Sequence, residues 1–139
     1  MSKKTFVIFG LLVLFLAGLI PWLVFRSDGD ASRGAQKVPA HLEEGQALFQ
    51  INCGNCHALY AAGTDGNFGP DLDELLAPSG LPEGSTAQQT IEATQGRVLN
   101  AIEAGVDSST TPGRMPGGII DGEQAREVAE FVARTAGEG

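Results

Sequence analysis

Apolar positions along the chain follow two different patterns. Residues 5–25 form an uninterrupted run of 21 residues without a charged side chain. As a helix, this run would be about 32 Å long, close to the roughly 30 Å hydrocarbon core of a bilayer. From residue 41 onward, apolar residues recur three or four positions apart between turn-forming segments, which predicts short amphipathic helices. The pattern therefore predicts one apolar span followed by one small helical domain.

The apolar run has two interpretations. A retained transmembrane signal anchor would cross the membrane at residues 5–25, with residues 1–4 as the N-terminal segment before the span. A cleaved secretory signal has a shorter apolar region that is followed at once by small residues, whereas this run ends in Trp22-Leu23-Val24-Phe25-Arg26. Gly29-Asp30-Ala31 could serve as a late cleavage site. The bulky end of the run favours the anchor.

The remainder divides into a linker and a helical domain. Residues 26–40 lack periodicity and are predicted to be a flexible linker, and residues 41–139 are predicted to be the domain. Gly45, Phe49 and Cys53 are spaced four apart, so they share one face of the first helix, and Phe131 of the last helix could pack against the first two. The predicted helices cover residues 42–52, 71–76, 94–104 and 122–135, with a further turn or two within 85–92. Capping boxes are predicted at Asp71 with Glu74 and at Asp121 with Gln124, and loops at residues 63–70 and 106–118.

The motif Cys53-Gly54-Asn55-Cys56-His57 carries the chemistry of the chain. Two thiols three positions apart can each form a thioether with a porphyrin vinyl group, while the adjacent imidazole ligates the iron. A redox dithiol and a zinc site are the alternatives. The dithiol needs a βαβ setting that the flanking sequence does not show, and the zinc site would need His41, which precedes the cysteines. The motif therefore favours covalent attachment of one haem.

Met115 is the candidate for a second axial ligand. It is the only methionine besides Met1 and lies in the polar loop Arg114-Met115-Pro116-Gly117-Gly118. A thioether in such a loop fills no obvious gap in a core, so ligation of iron explains this residue better than packing does.

The predicted domain is strongly acidic. Residues 41–139 contain four arginines, no lysine and fifteen aspartates or glutamates, which gives a formal charge of −11. Such a domain is not expected to bind nucleic acid through backbone phosphates. The charge either maintains solubility or steers the domain toward a basic docking surface on a partner.

The order of these features resembles the class I cytochrome c family over essentially the whole predicted domain. The shared features are a first helix running into Cys-x-x-Cys-His, a Gly-Pro after a loop, a methionine followed by proline, and a closing helix with an aromatic residue. The resemblance implies an all-α fold of short helices around one covalent haem c. It also implies thioethers from Cys53 and Cys56, axial ligation by His57 and Met115, and a hydrogen bond from the other imidazole nitrogen to the Pro70 carbonyl.

The chain departs from the family pattern in two respects. The domain has no tryptophan to hold a haem propionate, which leaves Tyr60 and Arg97 as candidates. It also lacks the lysine-rich docking rim of mitochondrial-type cytochromes, which argues against partners with acidic docking sites. Ligation by histidine and methionine leaves the iron without an open position, so the resemblance implies an electron carrier with no small-molecule substrate and no catalytic residues.

Together these features predict a membrane-tethered monohaem cytochrome c that passes single electrons between redox complexes of a respiratory or photosynthetic chain. Since c-type cytochromes receive haem outside the cytoplasm, the resemblance implies a single-pass protein with its domain on the periplasmic or outer face of the cell membrane. Its expected partners are the membrane and redox complexes with a basic docking surface. One alternative is a fixed cytochrome subunit of a larger redox complex, and another is a haem enzyme or gas sensor with a labile distal ligand.

Overall fold

The computed structural model describes residues 3–26, 34–77, 80, 84–107 and 113–139, so residues 27–33 of the predicted linker lie outside the described residues. The chain divides into two compact units, Met1–Ala31 and Ser32–Gly139. The first unit holds helix α1 (Lys3–Arg26), whose mean hydropathy over Lys3–Trp22 is 2.4 and which buries none of that window. By length and composition α1 could cross a membrane, and a signal sequence would meet the same criteria.

The second unit is mainly helical. Its α-helices and strands in chain order are α2 (Glu43–Asn52), β1 (His57–Leu59), β2 (Thr64–Asn67), α3 (Leu72–Leu76), α4 (Ala87–Ala104) and α5 (Gly122–Thr135). Short 3₁₀ turns lie at Ala40–Leu42, Tyr60–Ala62 and Gly84–Thr86. Helix α4 is continuous from Ala87, although the sequence predicts its main part only from residue 94. Its first two turns are mostly polar and exposed, so the apolar periodicity does not reveal them.

The crossing of α2 and α5 organises the core. Gly45 lies so close to α5 that a Cβ there would be 2.8 Å from the Cβ of Phe131 and 2.9 Å from the carbonyl carbon of Glu127. One turn later, Phe49 meets the ring of Phe131 in an edge-type contact with centroids 6.0 Å apart. Both rings are fully buried, and α5 also packs against α4. The predicted packing of Phe131 on Gly45 and Phe49 is confirmed.

A two-stranded hairpin follows the cysteine motif in a region predicted as loop. Strand β1 pairs antiparallel with β2, with Ala58 opposite Asp65 and Leu59 opposite Thr64. The connecting turn ends at Gly63, whose φ of 62° is a left-handed conformation that glycine adopts without strain. Strands of three and four residues are too short to produce a clear alternating pattern. The predicted all-α fold is therefore mainly helical with one short β-ribbon.

Residues 34–40, which the sequence assigns to the linker, pack on the helical domain. Val38 is only 7% exposed, and the backbone amide of Gln36 donates to the Ala61 carbonyl at 3.1 Å. The side-chain amide of Gln46 on α2 donates to the carbonyl oxygens of Gln36 and Ala61 at 2.8 and 2.7 Å. The folded domain therefore includes residues before its predicted start, because a side chain of α2 binds their backbone.

The two predicted capping boxes have different outcomes. At α3, the carboxylate of Asp71 accepts hydrogen bonds from the amides of Asp73 and Glu74 at 2.9 and 3.3 Å, so this N-cap is confirmed. At α5, Asp121 forms no side-chain cap hydrogen bond, so the capping box predicted there is wrong. The chain enters α5 through Gly122 at a φ of 56°, and this left-handed entry replaces the backbone geometry that a capping box requires.

Candidate functional site

The Cys-x-x-Cys-His motif forms a tight turn at the end of α2. The amide of Cys53 donates to the Phe49 carbonyl at 2.8 Å, and the amides of Cys56 and His57 both donate to the Cys53 carbonyl, at 3.0 and 2.9 Å. Both cysteines are free thiols, Cys53 buried and Cys56 exposed. Burial, together with the neighbouring Cys56, raises the pKa of Cys53 to about 11, so this thiol is neutral at pH 7. The turn thus places two cysteine side chains and one imidazole within five consecutive residues.

The loop between β2 and α3 orients His57. Its Nδ1 lies 2.9 Å from the Pro70 carbonyl oxygen, the contact that the family resemblance implies. A carbonyl oxygen only accepts, so Nδ1 carries the proton, and in the neutral ring Nε2 keeps a lone pair for a metal. Gly69 lies against the same ring, since a Cβ there would be 2.5 Å from Cε1 and 2.8 Å from Nδ1. Any larger residue at this position would displace the imidazole.

Gly66 allows strand β2 to lie against the cysteine motif. A Cβ at Gly66 would lie 2.6 Å from both the His57 nitrogen and the Cys56 carbonyl carbon. The register of the hairpin shifts beside it, between His57 and Ala58. The amide of Gly69 also donates to the Cys56 carbonyl at 2.7 Å. Sequence reasoning missed the roles of these glycines, for which the only signal was the density of glycine in residues 63–69.

Met115 lies beside the C-terminal end of α4 and is held there by its backbone. It pairs with Val106 through two hydrogen bonds of 2.9 and 3.0 Å, and the amide of Gly118 donates to the Ile102 carbonyl at 2.8 Å. The Met115 side chain is half-buried and packs against the buried core, a contact that its polar sequence neighbours did not indicate. Residues 108–112 of the predicted loop lie outside the described residues.

The loop that orients His57 and the loop that carries Met115 touch each other. The ring of Phe68 lies against Gly113, where a Cβ would overlap ring atoms Cε1 and Cζ. Phe68 immediately precedes the Gly69-Pro70 pair, and Gly113 lies two residues before Met115. The loop that orients His57 is therefore in direct contact with the loop that carries Met115, through two residues that no sequence motif marks.

The residues present fit a covalently bound haem. Cys53 and Cys56 supply two thiols, and His57 supplies an imidazole with Nε2 available. Met115 supplies a thioether from a separate loop. Apolar side chains of α2, the α3 region and α4 also remain half-exposed against the buried core, and a large apolar ring system could remove that surface from water. These side chains are Leu48, Leu72, Leu76, Ala77, Val98 and Leu99.

The zinc alternative finds no support in the part of the chain that the structure describes. Within it, no group of three or more His, Cys, Asp or Glu side chains is placed to hold a metal ion. His41, the only other histidine, is exposed in the turn Ala40–Leu42 before α2. Among the residues that the structure describes, the cysteine pair therefore finds no further ligands of the kind that a structural zinc site requires.

Comparison with known families gives a match to the cytochrome c model over residues 42–136, which includes the cysteine motif, the Gly-Pro loop and Met115. The chain belongs to the cytochrome c family. Cytochromes c are electron-transfer haem proteins that bind haem c covalently, and they are generally carriers and not enzymes. The predicted family is thus confirmed. Comparison with curated proteins returns no match.

The two propionate candidates lie in different parts of this cytochrome c domain. Tyr60 is half-exposed in the hairpin turn, where its amide donates to the Asp73 carboxylate at 2.8 Å and its Cβ lies next to Gly139. Arg97 is exposed on α4. Their contact with a propionate stays a prediction, as do the individual roles of the thiols and the axial ligands.

Proposed function

We propose that this protein is a membrane-tethered monohaem cytochrome c that carries single electrons between membrane redox complexes of a respiratory or photosynthetic chain. Its one Cys-x-x-Cys-His motif supports a single haem. The observation that carries the proposal is the contact between the loop that holds His57 and the loop of Met115, made by Phe68 and Gly113. This contact supports a single site to which both His57 and Met115 contribute.

Each site residue has a distinct role in this proposal. Cys53 and Cys56 would hold the haem through thioethers, while His57 Nε2 and the Met115 sulfur would ligate its iron. The haem supplies the redox-active iron when it is bound. The Pro70 carbonyl fixes the tautomer and orientation of the imidazole. If His57 and Met115 both ligate the iron, they would leave no iron position for a substrate, and the methionine thioether would favour a raised reduction potential.

Substitution of the methionine tests the function. The Met115→Ala protein should bind carbon monoxide in the reduced state and have a lower reduction potential, because the variant loses a soft axial ligand. The native protein should resist carbon monoxide. His41→Ala is the matched control and should leave the absorption spectrum unchanged, because this imidazole is exposed before α2. Rapid carbon monoxide binding by the native protein would contradict the carrier and favour a gas sensor or haem enzyme with a labile distal ligand.

The tether is the part of the proposal that concerns α1. A helix of 24 residues is about 36 Å long, enough to span the hydrocarbon core, and none of its window Lys3–Trp22 is buried. The haem domain would then lie on the extracytoplasmic face. Intact-mass analysis of the protein extracted from membranes should show the apolar segment retained. A mature N-terminus near Ser32 would indicate a cleaved signal sequence instead.

The partner surface is inferred from charge. With a formal charge of −11 over residues 41–139, the domain should be guided mainly by attraction to basic groups on a redox partner. Electron transfer to the partner should therefore slow as ionic strength rises, because salt screens that attraction. A rate that does not change with salt, or that increases, would leave the acidic surface with a role in solubility alone.

A further inference from the structure

Phe68 lies where the loop that orients His57 meets the loop that carries Met115, and this residue is 52% exposed. Its ring lies against Gly113 of the Met115 loop. We propose that Phe68 is a positioning residue that holds the Met115 loop against the loop that orients His57. This inference rests on the proposed ligation of iron by Met115.

On the histidine side, the backbone around Phe68 is fixed relative to the imidazole. Gly69 donates to the Cys56 carbonyl at 2.7 Å, and its Cα lies against the ring of His57. Pro70 accepts the hydrogen bond from His57 Nδ1 at 2.9 Å. Because Phe68 directly precedes Gly69 and Pro70, these contacts also restrain the backbone of Phe68 relative to His57.

On the methionine side, the ring fills the space that a side chain at residue 113 would occupy. Only Arg114 separates Gly113 from Met115. Arg114 also forms an ion pair with Asp107 at 2.9 Å, whose side chains are 70% and 79% exposed. Exposed pairs of this kind contribute little because water and salt screen them. The apolar contact of Phe68 therefore restrains this loop more than the exposed ion pair does, and it adds to the two backbone hydrogen bonds between Met115 and Val106.

The test uses the haem-loaded protein and compares Phe68→Ala with native. Loss of the ring should raise the carbon monoxide-accessible fraction of the reduced haem about five-fold, an order-of-magnitude expectation for losing the contacts of a half-exposed ring. The ferric charge-transfer absorption of methionine-ligated haem should weaken in parallel. Phe68→Tyr keeps the ring and should restore native behaviour. Ile51→Ala is the matched control, since it removes apolar surface from a side chain that is 73% exposed on α2.

The variants separate failure of this inference from failure of the proposed function. If Met115→Ala itself leaves carbon monoxide binding unchanged, methionine ligation is wrong and the positioning role falls with it. If Met115→Ala opens the haem but Phe68→Ala behaves like Ile51→Ala, only the positioning role is overturned. A Phe68→Ala protein with a lower unfolding midpoint and native carbon monoxide binding would likewise assign the ring a merely structural role.

Discussion

Replacing Gly45 with alanine tests the contact on which the fold depends. In an isolated helix the change would stabilise by up to about 1 kcal/mol. In the folded domain the new methyl group would lie 2.8 Å from the Phe131 Cβ and 2.9 Å from the Glu127 carbonyl carbon. These atoms belong to the backbone of α5 and to the Cβ of Phe131, so they cannot move aside unless the two helices separate. Overpacking of this kind costs about 1–3 kcal/mol, which leaves a net loss of roughly 0–2 kcal/mol after the helix-propensity gain.

The assay is thermal or denaturant unfolding of the haem-loaded protein. For a domain of this size, each kcal/mol shifts Tm by about 4–8 °C. Gly96→Ala is the matched control, because Gly96 also lies within a helix but has nothing within 4 Å of its Cβ position. That variant should gain about 0.5–1 kcal/mol. If Gly45→Ala raises Tm as Gly96→Ala does, the two helices do not cross at van der Waals contact and the reasoning fails.

Two further substitutions test electrostatics and the N-terminal segment. Burial, followed by repulsion from Glu44, raises the pKa of Glu127, so the folded state binds this proton more tightly than the unfolded chain. Glu127→Gln should therefore raise Tm at pH 7, and the gain in Tm should disappear as the pH falls below the ordinary glutamate pKa of 4.5. Glu103→Gln controls for the change in net charge. An equal gain in Tm at pH 7 and below pH 4.5 would refute the assignment of the effect to the raised pKa of Glu127. Gln46→Ala loses hydrogen bonds of 2.8 and 2.7 Å to two backbone carbonyls and should lower the free energy of unfolding by about 1–2 kcal/mol. Denaturant titration beside the exposed Gln88→Ala control measures this, and equal stabilities would mean that Gln46 does not hold residues 34–40.

Local spacing was sufficient to predict several features from the sequence. The contiguity of Cys53, Cys56 and His57 specifies attachment chemistry without any fold, because all three groups lie on one turn. The apolar stripe of α5 has a strict helical period, and its predicted bounds of 122–135 agree with the structure. Gly45 and Phe49 could be assigned to one helix face because residues four apart are stacked. Periodicity and motif spacing are properties of neighbouring residues, so they can be read before the chain folds.

The sequence also marked Met115 and Pro70 as site residues, but only through resemblance and the rarity of methionine. The structure adds the reason why Pro70 can act, since its carbonyl lies 2.9 Å from His57 Nδ1. It also supplies a packing contact for Met115 against the core that the polar loop around it conceals. The tertiary contacts of a residue depend on which distant segments pack together. The sequence pattern within a single loop does not indicate those contacts.

Tertiary structure alone decided the remaining features. The hairpin of β1 and β2 forms because Gly63 can turn the chain, although neither strand is long enough to show alternation. Residues 34–40 join the domain because Gln46 reaches their backbone, and Phe68 meets Gly113 across 45 positions of sequence. Local spacing determines which helices can form and which groups can attach haem. Which loops touch is determined by long-range packing, because the free energy of those contacts exists only once the helices have brought the loops together.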